Sequence, residues 1–156
     1  MKGTAPGKSG CVFCRPRPAE DASPPTPDPL LLFEGRTCFV LLNLYPYNNG
    51  HLLVIPYRHE PTLAGLTTDE MNELGLLIGR AETALRQAYT LDGINVGVNL
   101  GRTAGAGIVE HVHVHLVPRW HGDTNFITVV GETRVLPETL DAAAARLRPI
   151  FDALAR

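Results

Sequence analysis

The rhythm of apolar and polar positions changes at Leu30. Before it there is no periodicity, and seven of the chain's 13 prolines precede residue 30, three of them within Ser23-Pro24-Pro25-Thr26-Pro27. Proline fixes φ and lacks an N–H, so this stretch predicts neither a regular helix nor an inner strand. Residues 1–10 are expected as a disordered tail and 15–29 as an extended connector, with Cys11 and Cys14 forming a knuckle between them. Beyond Leu30, two apolar runs, Leu30–Glu34 and Thr37–Leu42, flank Gly35-Arg36 and predict a hairpin. The turn-rich NLYPYNNG segment, Asn43 to Gly50, leads into a short apolar strand, His51–Ile55, closed by Pro56.

Helical periodicity follows. Thr67-Thr68-Asp69-Glu70 has the form of a capping box, in which threonine and glutamate satisfy each other's free backbone donors. Met71, Leu74, Ile78, Ala81 and Leu85 then recur at spacings of three and four, predicting one buried stripe on a helix that ends near Tyr89. Gly93–Asn99 reads as a strand, and Leu100–Gly107 as a glycine-rich loop. His111–Val117 reads as a strand ended by Pro118. Phe126–Val130 and Thr133–Leu136 suggest a second hairpin around Gly131, and 137–156 a second helix with Pro137 in its first turn. Strands joined by short turns, with two helices, predict an α+β fold: an antiparallel sheet with helices packed on it. Residues 11–156 are expected to form one domain.

Composition narrows the function classes. The chain has 156 residues, 44% hydrophobic and 19% charged, as in an ordinary globular domain. A net charge of −2 offers no broad attraction to nucleic acid or an anionic membrane, so any phosphate recognition must be local. No apolar run reaches the length of a membrane span, and the first ten residues lack the apolar core of a secretory signal. Three cysteines, an odd count, argue against a disulfide framework and for a reducing, cytoplasmic setting.

The chemistry concentrates in His111-Val112-His113-Val114-His115-Leu116-Val117. In a strand, alternate side chains share a face, so the histidines are expected together, about 7 Å apart at Cα, with Val112, Val114 and Leu116 facing the core. Imidazoles this close cannot all be charged, which keeps at least one neutral and nucleophilic near pH 7. The same pattern also suits metal coordination.

This run matches the H-φ-H-φ-H-φ-φ motif and resembles the histidine triad superfamily. Asn43, Pro46 and Gly50-His51-Leu-Leu-Val-Ile-Pro56 resemble its N-terminal signature, and Asn99-Leu-Gly101 through Gly107 its phosphate-side loop. Asn43-Leu-Tyr-Pro-Tyr, His51 through Arg58 and Pro118-Arg-Trp-His-Gly-Asp-Thr-Asn-Phe126 look most like the bacterial diadenosine tetraphosphate phosphorylases within the fragile-histidine-triad branch. Gly105-Ala-Gly107-Ile departs from the Gly-Gln or Gly-Ser that many relatives carry, so that either backbone N–H groups make the phosphate contacts there or the substrate is handled differently.

The resemblance implies a nucleotidyl transferase or hydrolase acting on dinucleoside polyphosphates. His113 would be the nucleophile, the His111 carbonyl would fix its tautomer, and His51 and His115 would donate to phosphate oxygens. Asn99, Gly105 and Gly107 would hold the polyphosphate, and Asn43 the ribose. Leu41 and Leu53 either flank the base or belong to the core, and Arg58, Arg102 and Arg119 either neutralise outer phosphates or lie at the surface. Inorganic phosphate and water both remain open as acceptors. A phosphoramidate hydrolase and a non-catalytic nucleotide-binding protein are the alternatives.

Cys11 and Cys14 alone are open to redox, inert or metal-binding readings. Zinc-bearing members of the superfamily add one histidine from a segment like Pro56-Tyr-Arg-His59 and one from the first triad position, which implies a structural zinc on Cys11, Cys14, His59 and His111. The resemblance also implies a homodimer, or a tetramer, with the sheet continued between copies.

Overall fold

Local sequence rules place most elements. The computed structural model describes residues 10–15, 28–124, 131 and 137–155. The expected tail, save Gly10, most of the proline-rich connector, and the expected hairpin strands at 126–130 and 133–136 lie outside the described residues. Strands β1 (Leu31–Glu34), β2 (Cys38–Leu42) and β3 (Leu52–Pro56) come first, then helix α1 (Thr68–Ala88), strands β4 (Gly93–Val98) and β5 (Val114–Arg119), and helix α2 (Leu140–Leu154). The sheet order is β1-β2-β3-β5-β4 and every neighbouring pair is antiparallel. This is the α+β arrangement the periodicities predict.

Both helices cover one face of the sheet. Val40, Leu42, Leu52, Val54, Val114 and Leu116 meet Leu74, Leu77, Ala81, Ala84 and Leu85 of α1, and Ala143, Ala144, Leu147 and Phe151 of α2. The pleat turns the alternate residues Phe39, Leu41, Leu53 and Ile55 to the opposite face, where they pack with Phe13 and Tyr57. Register fixes what else lies on that second face: Leu41 pairs with Leu53, Leu53 with His115, and His115 with Gly97. His115 therefore looks away from the helices. No described helix is long and apolar enough to cross a membrane.

Four expectations need correction. The inner stripe of α1 does not include Met71, which is 42% exposed, but runs Glu70, Leu74, Leu77, Ala81, Ala84, Leu85. Glu70 takes the first inward position because its carboxylate closes the capping box with Thr67 and ion-pairs Arg58 at 2.7 Å. At Pro118, β5 does not end. The ladder to β3 stops at Leu116, but the ladder to β4 continues through Pro118 opposite Ile94 to Arg119 opposite Gly93, and on the side β3 has left the Pro118 carbonyl accepts from Asn48 Nδ2 at 3.0 Å. The strand also begins later than expected, at Val114, because the N–H of Val112 donates to the carbonyl of Glu60 instead of joining the ladder. Finally, α2 starts after Pro137, with Thr139 as its cap accepting from the Ala142 N–H.

Candidate active site and metal-ligating cluster

The face of the sheet opposite α1 and α2 opens into a cleft of about 220 Å³. His113 and His115 form its floor with Leu53. Asn43, Tyr45 and Tyr47 supply one wall, and Gly107, Ile108 and Phe13 the rest. The segment from residue 43 to 50 brings the first wall to the cleft, because Asn43 N–H donates to the His51 carbonyl and His51 N–H to the Asn48 carbonyl, closing the turn on itself.

Hydrogen bonds assign a tautomer to each imidazole. A carbonyl can only accept, so the 2.9 Å contact between His113 Nδ1 and the His111 carbonyl makes Nδ1 the protonated nitrogen. The lone pair of His113 is therefore on Nε2. His51 Nδ1 accepts from the Tyr47 N–H at 3.0 Å, which puts the His51 proton on Nε2. That Nε2–H donates to His115 Nδ1 at 2.9 Å, leaving His115 with its own proton on Nε2. A lone pair on His113 and an N–H on His115 thus stand side by side, with ring centroids 4.9 Å apart.

The same surroundings keep His51, His111 and His115 neutral. Burial, then the neighbouring imidazoles His115 and His113, holds His51 down to about 3. Burial and His113 hold His115 down to about 4. Burial also lowers His111, outweighing its hydrogen bond to the Pro56 carbonyl. An imidazole lone pair beside a neutral N–H donor can attack an electrophilic centre while the donor steadies charge on the departing or non-bridging oxygens.

The residues singled out by sequence fall into two groups. His113, His115, Asn43, Leu53 and Gly107 line the cleft, and His51 stands directly behind His115. Leu41 lies beneath them, the cross-strand partner of Leu53, buried in the apolar cluster. Asn99 and Gly105 brace the glycine-rich loop, with Asn99 Nδ2 donating to the Gly105 carbonyl at 3.4 Å. Gly105 ends the short 3₁₀ turn Arg102–Ala104 at φ +90°, a conformation that disfavours any side chain. Arg119 does not reach the cleft: its guanidinium pairs with Asp123 and Asn95, because Asp123 four residues on offers a matched carboxylate. Arg58 is held by Glu70 and Glu60, and Arg102 is exposed on the 3₁₀ turn. No arginine or lysine is among the described residues lining the cleft. Sequence reasoning missed Phe13 and Ile108; for Phe13 the available signal was an aromatic residue enclosed by two cysteines.

Behind Phe13 lies a second constellation. The ligand atoms of Cys11, Cys14, His59 and His111 all fall within 4.8 Å of one another. Cys11 Sγ is 3.5 Å and Cys14 Sγ 3.8 Å from His111 Nδ1, and Cys14 Sγ is 3.2 Å from His59 Nδ1. A zinc ion bound tetrahedrally to sulfur and nitrogen spans S···N edges of about 3.6 Å, so the donor set fits such an ion. His111 Nε2 donates to the Pro56 carbonyl at 2.8 Å, which leaves Nδ1 unprotonated toward the thiols, as a metal ligand requires. His111 thus turns its ring to this cluster and its carbonyl to His113.

Comparison with known proteins agrees with this geometry. The HIT domain matches residues 27–122. AP-4-A phosphorylase of Mycobacterium tuberculosis (strain H37Rv) is 46% identical over 111 residues, covering 71% of this chain and 57% of that protein. The chain therefore spans just over half the length of that relative. Bis(5'-adenosyl)-triphosphatase of Dictyostelium discoideum is 33% identical over 129 residues, covering 78% of this chain and 85% of its own length. Among solved structures, a Zn-bound histidine triad family protein from Mycobacterium smegmatis superposes with a TM-score of 0.66 at 27% identity, covering 81% of this chain and 86% of that one. On the family match, the identities and the fold together, this chain belongs to the HIT domain family.

Proposed function

We propose that the protein cleaves dinucleoside polyphosphates by transferring a nucleotidyl group through His113. The observation that carries this reading is the hydrogen bond from His113 Nδ1 to the His111 carbonyl, which turns Nε2 and its lone pair to the cleft. The relatives named for activity on AP-4-A and on bis(5'-adenosyl) triphosphate support the substrate class.

With diadenosine tetraphosphate, Nε2 of His113 attacks the phosphorus next to one adenosine. An N–P bond forms and the bond from that phosphorus to its bridging oxygen breaks, releasing ATP and leaving adenylate on the ring. Nδ1 keeps its proton, still donated to the His111 carbonyl, so the imidazole becomes cationic and is itself a good leaving group. His115 Nε2–H steadies the departing oxygen, and His51 holds His115 in the tautomer that can donate. An oxygen of inorganic phosphate then attacks the adenylate phosphorus, regenerating neutral His113 and giving ADP; water in its place gives AMP. Phosphorolysis to ATP and ADP is the favoured reading, supported by the 46% identity to the phosphorylase against 33% to the triphosphatase. Asn43 contacts the ribose, Leu53 the base, and the backbone around Gly105 and Gly107 the phosphates.

Three further assignments belong to this reading. Zinc occupies Cys11, Cys14, His59 and His111 and has a structural role, supported by the fit of the donor set and by the Zn-bound neighbour. The chain works in the cytoplasm, where free thiols persist. Two copies associate through β4, an edge strand with Asn95, Val96 and Gly97 exposed.

Product analysis with diadenosine tetraphosphate tests the chemistry. With inorganic phosphate the products are expected to be ATP and ADP, and His113→Ala is expected to lose turnover by a factor on the order of 10³ or more while retaining nucleotide binding. Identical rates and products with and without phosphate would remove the phosphorylase assignment. Full activity in the His113→Ala variant would remove the mechanism.

A further inference from the structure

The run Pro118-Arg-Trp-His-Gly-Asp-Thr-Asn-Phe126 carries the finer family likeness, yet none of its described residues lines the cleft. Its best-bonded side chain is Asp123, 10% exposed. Oδ2 accepts from Arg119 Nε at 2.6 Å, from the Trp120 N–H at 3.1 Å and from Asn48 Nδ2 at 2.8 Å, while Oδ1 accepts from Arg119 Nη2 at 2.6 Å. A carboxylate gripped by a bidentate guanidinium and a backbone N–H has a fixed position. Those bonds alone would close the turn after β5. The bond to Asn48 does something else, because Asn48 lies 75 residues away in the segment that walls the cleft.

Asn48 moors that segment to the end of β5, its Nδ2 shared between Asp123 and the Pro118 carbonyl. Its own carbonyl accepts the His51 N–H at 3.2 Å. One residue earlier, Tyr47 supplies the N–H that His51 Nδ1 accepts. The tautomer of His51, and through it that of His115, thus depends on where this short segment sits. If the Tyr47 N–H drifts away, only the longer contact from Asn43 Nδ2 at 3.4 Å, in the same segment, still favours a lone pair on His51 Nδ1. If His51 then carries its proton on Nδ1, its Nε2 lone pair faces His115 Nδ1. The hydrogen bond between the rings survives only if His115 moves its proton to Nδ1, which turns the cleft-facing Nε2 from donor to acceptor.

We infer that Asp123 is a positioning residue which, through Asn48, holds His51 and His115 in the tautomers that present an N–H to the reacting phosphate. The inference rests on the nucleotidyl-transfer reading for its consequence in turnover, but the tautomers are readable without any substrate. Arg119 serves the same device as the clamp on Asp123.

The test uses the full chain with Asp123→Ala, Asn48→Ala, the double variant and the shape-conserving Asp123→Asn. Imidazole nitrogen NMR of the wild type is expected to show His51 and His115 protonated at Nε2, with both Nδ1 atoms unprotonated. In Asp123→Ala and in Asn48→Ala the His115 signals are expected to shift toward mixed tautomers. In each of these variants kcat is expected to fall by about ten- to a hundredfold with KM within about twofold, the size expected when a small displacement spoils an aligned group. The double variant is expected to lose no more than the worse single variant, since both act on one chain of contacts. Asp123→Asn keeps an acceptor for Asn48 and is expected to retain more activity than Asp123→Ala. Unchanged tautomers in the folded variants, or losses in the double variant that multiply, would overturn the inference. A wild type that shows these tautomers but cleaves no dinucleoside polyphosphate would overturn the functional reading and leave the positioning role standing.

Discussion

Two imidazoles stay neutral in this protein because burial and mutual repulsion act in the same direction. His51 is held down to about 3 and His115 to about 4, against an ordinary value of 6.5. In the unfolded chain both take up a proton as the pH falls through about 6.5; in the folded protein they do so only near 3 to 4. Between those limits the unfolded state binds more protons, so stability falls as the pH drops from about 6.5 toward 4. Carboxylates with lowered values, such as Glu70 at about 2, lose their contribution as the pH falls from about 4.5 toward 2, mostly below the span in which the histidines act. Thermal melting is therefore expected to weaken measurably between about pH 7 and pH 5. A His51→Asn/His115→Asn variant is expected to show a flatter dependence over that span, and an equal slope in variant and wild type would exclude these rings as its source. The triad was legible from sequence because a period of two in a strand is a local rule. The tautomers were not, since one depends on the backbone N–H of Tyr47 and none of the residue types reveals that.

The β1–β2 hairpin depends on a single carboxylate from α1. Glu73 accepts from the N–H groups of Arg36, Thr37 and Cys38 and from the Thr37 hydroxyl, so it satisfies nearly the whole turn. Gly35 lies so close that an added Cβ would stand 2.7 Å from Glu73 Oε1 and 2.8 Å from the Cys38 carbonyl. Glu73→Ala leaves several donors without a partner and is expected to cost about 2–3 kcal/mol, read by urea denaturation; Glu73→Gln keeps one acceptor oxygen and is expected to cost less. A loss below about 0.5 kcal/mol for the alanine variant would mean that water replaces the carboxylate fully. The hairpin itself was readable from Gly35-Arg36 and its apolar flanks, and α1 from its capping box, because these signals sit within a few residues. The inward stripe was misjudged at Met71 because Glu70 is drawn inside by Arg58, a partner on the far side of β3's end that helical spacing does not reveal. Pro118 misled for a similar reason: whether a proline ends a strand depends on how far the neighbouring strand runs.

At the scale of the whole molecule, three distant stretches of chain converge on one point. Cys11 and Cys14 precede the sheet, His59 follows β3 and His111 precedes β5, and their ligand atoms form one cluster. Between the cysteines, Phe13 lies 5.0 Å from the His113 ring and closes one side of the cleft. Without a metal, burial and Cys11 push the Cys14 thiol up, so it stays protonated and offers no thiolate to its neighbours. A zinc ion would bind the thiolates and tie the N-terminal knuckle to the strand that carries His113. Protein purified without added zinc is therefore expected to contain close to one zinc per chain, and a Cys11→Ser/Cys14→Ser variant close to none. Chelation is expected to lower the melting temperature of the wild type by several degrees and leave the variant unmoved, because an ion bound only to the folded state stabilises it by mass action. It is also expected to weaken nucleotide binding in proportion, as Phe13 loses its anchor. Equal zinc content in wild type and variant would exclude these ligands, and a cleft of undiminished affinity after zinc removal would separate the knuckle from the nucleotide.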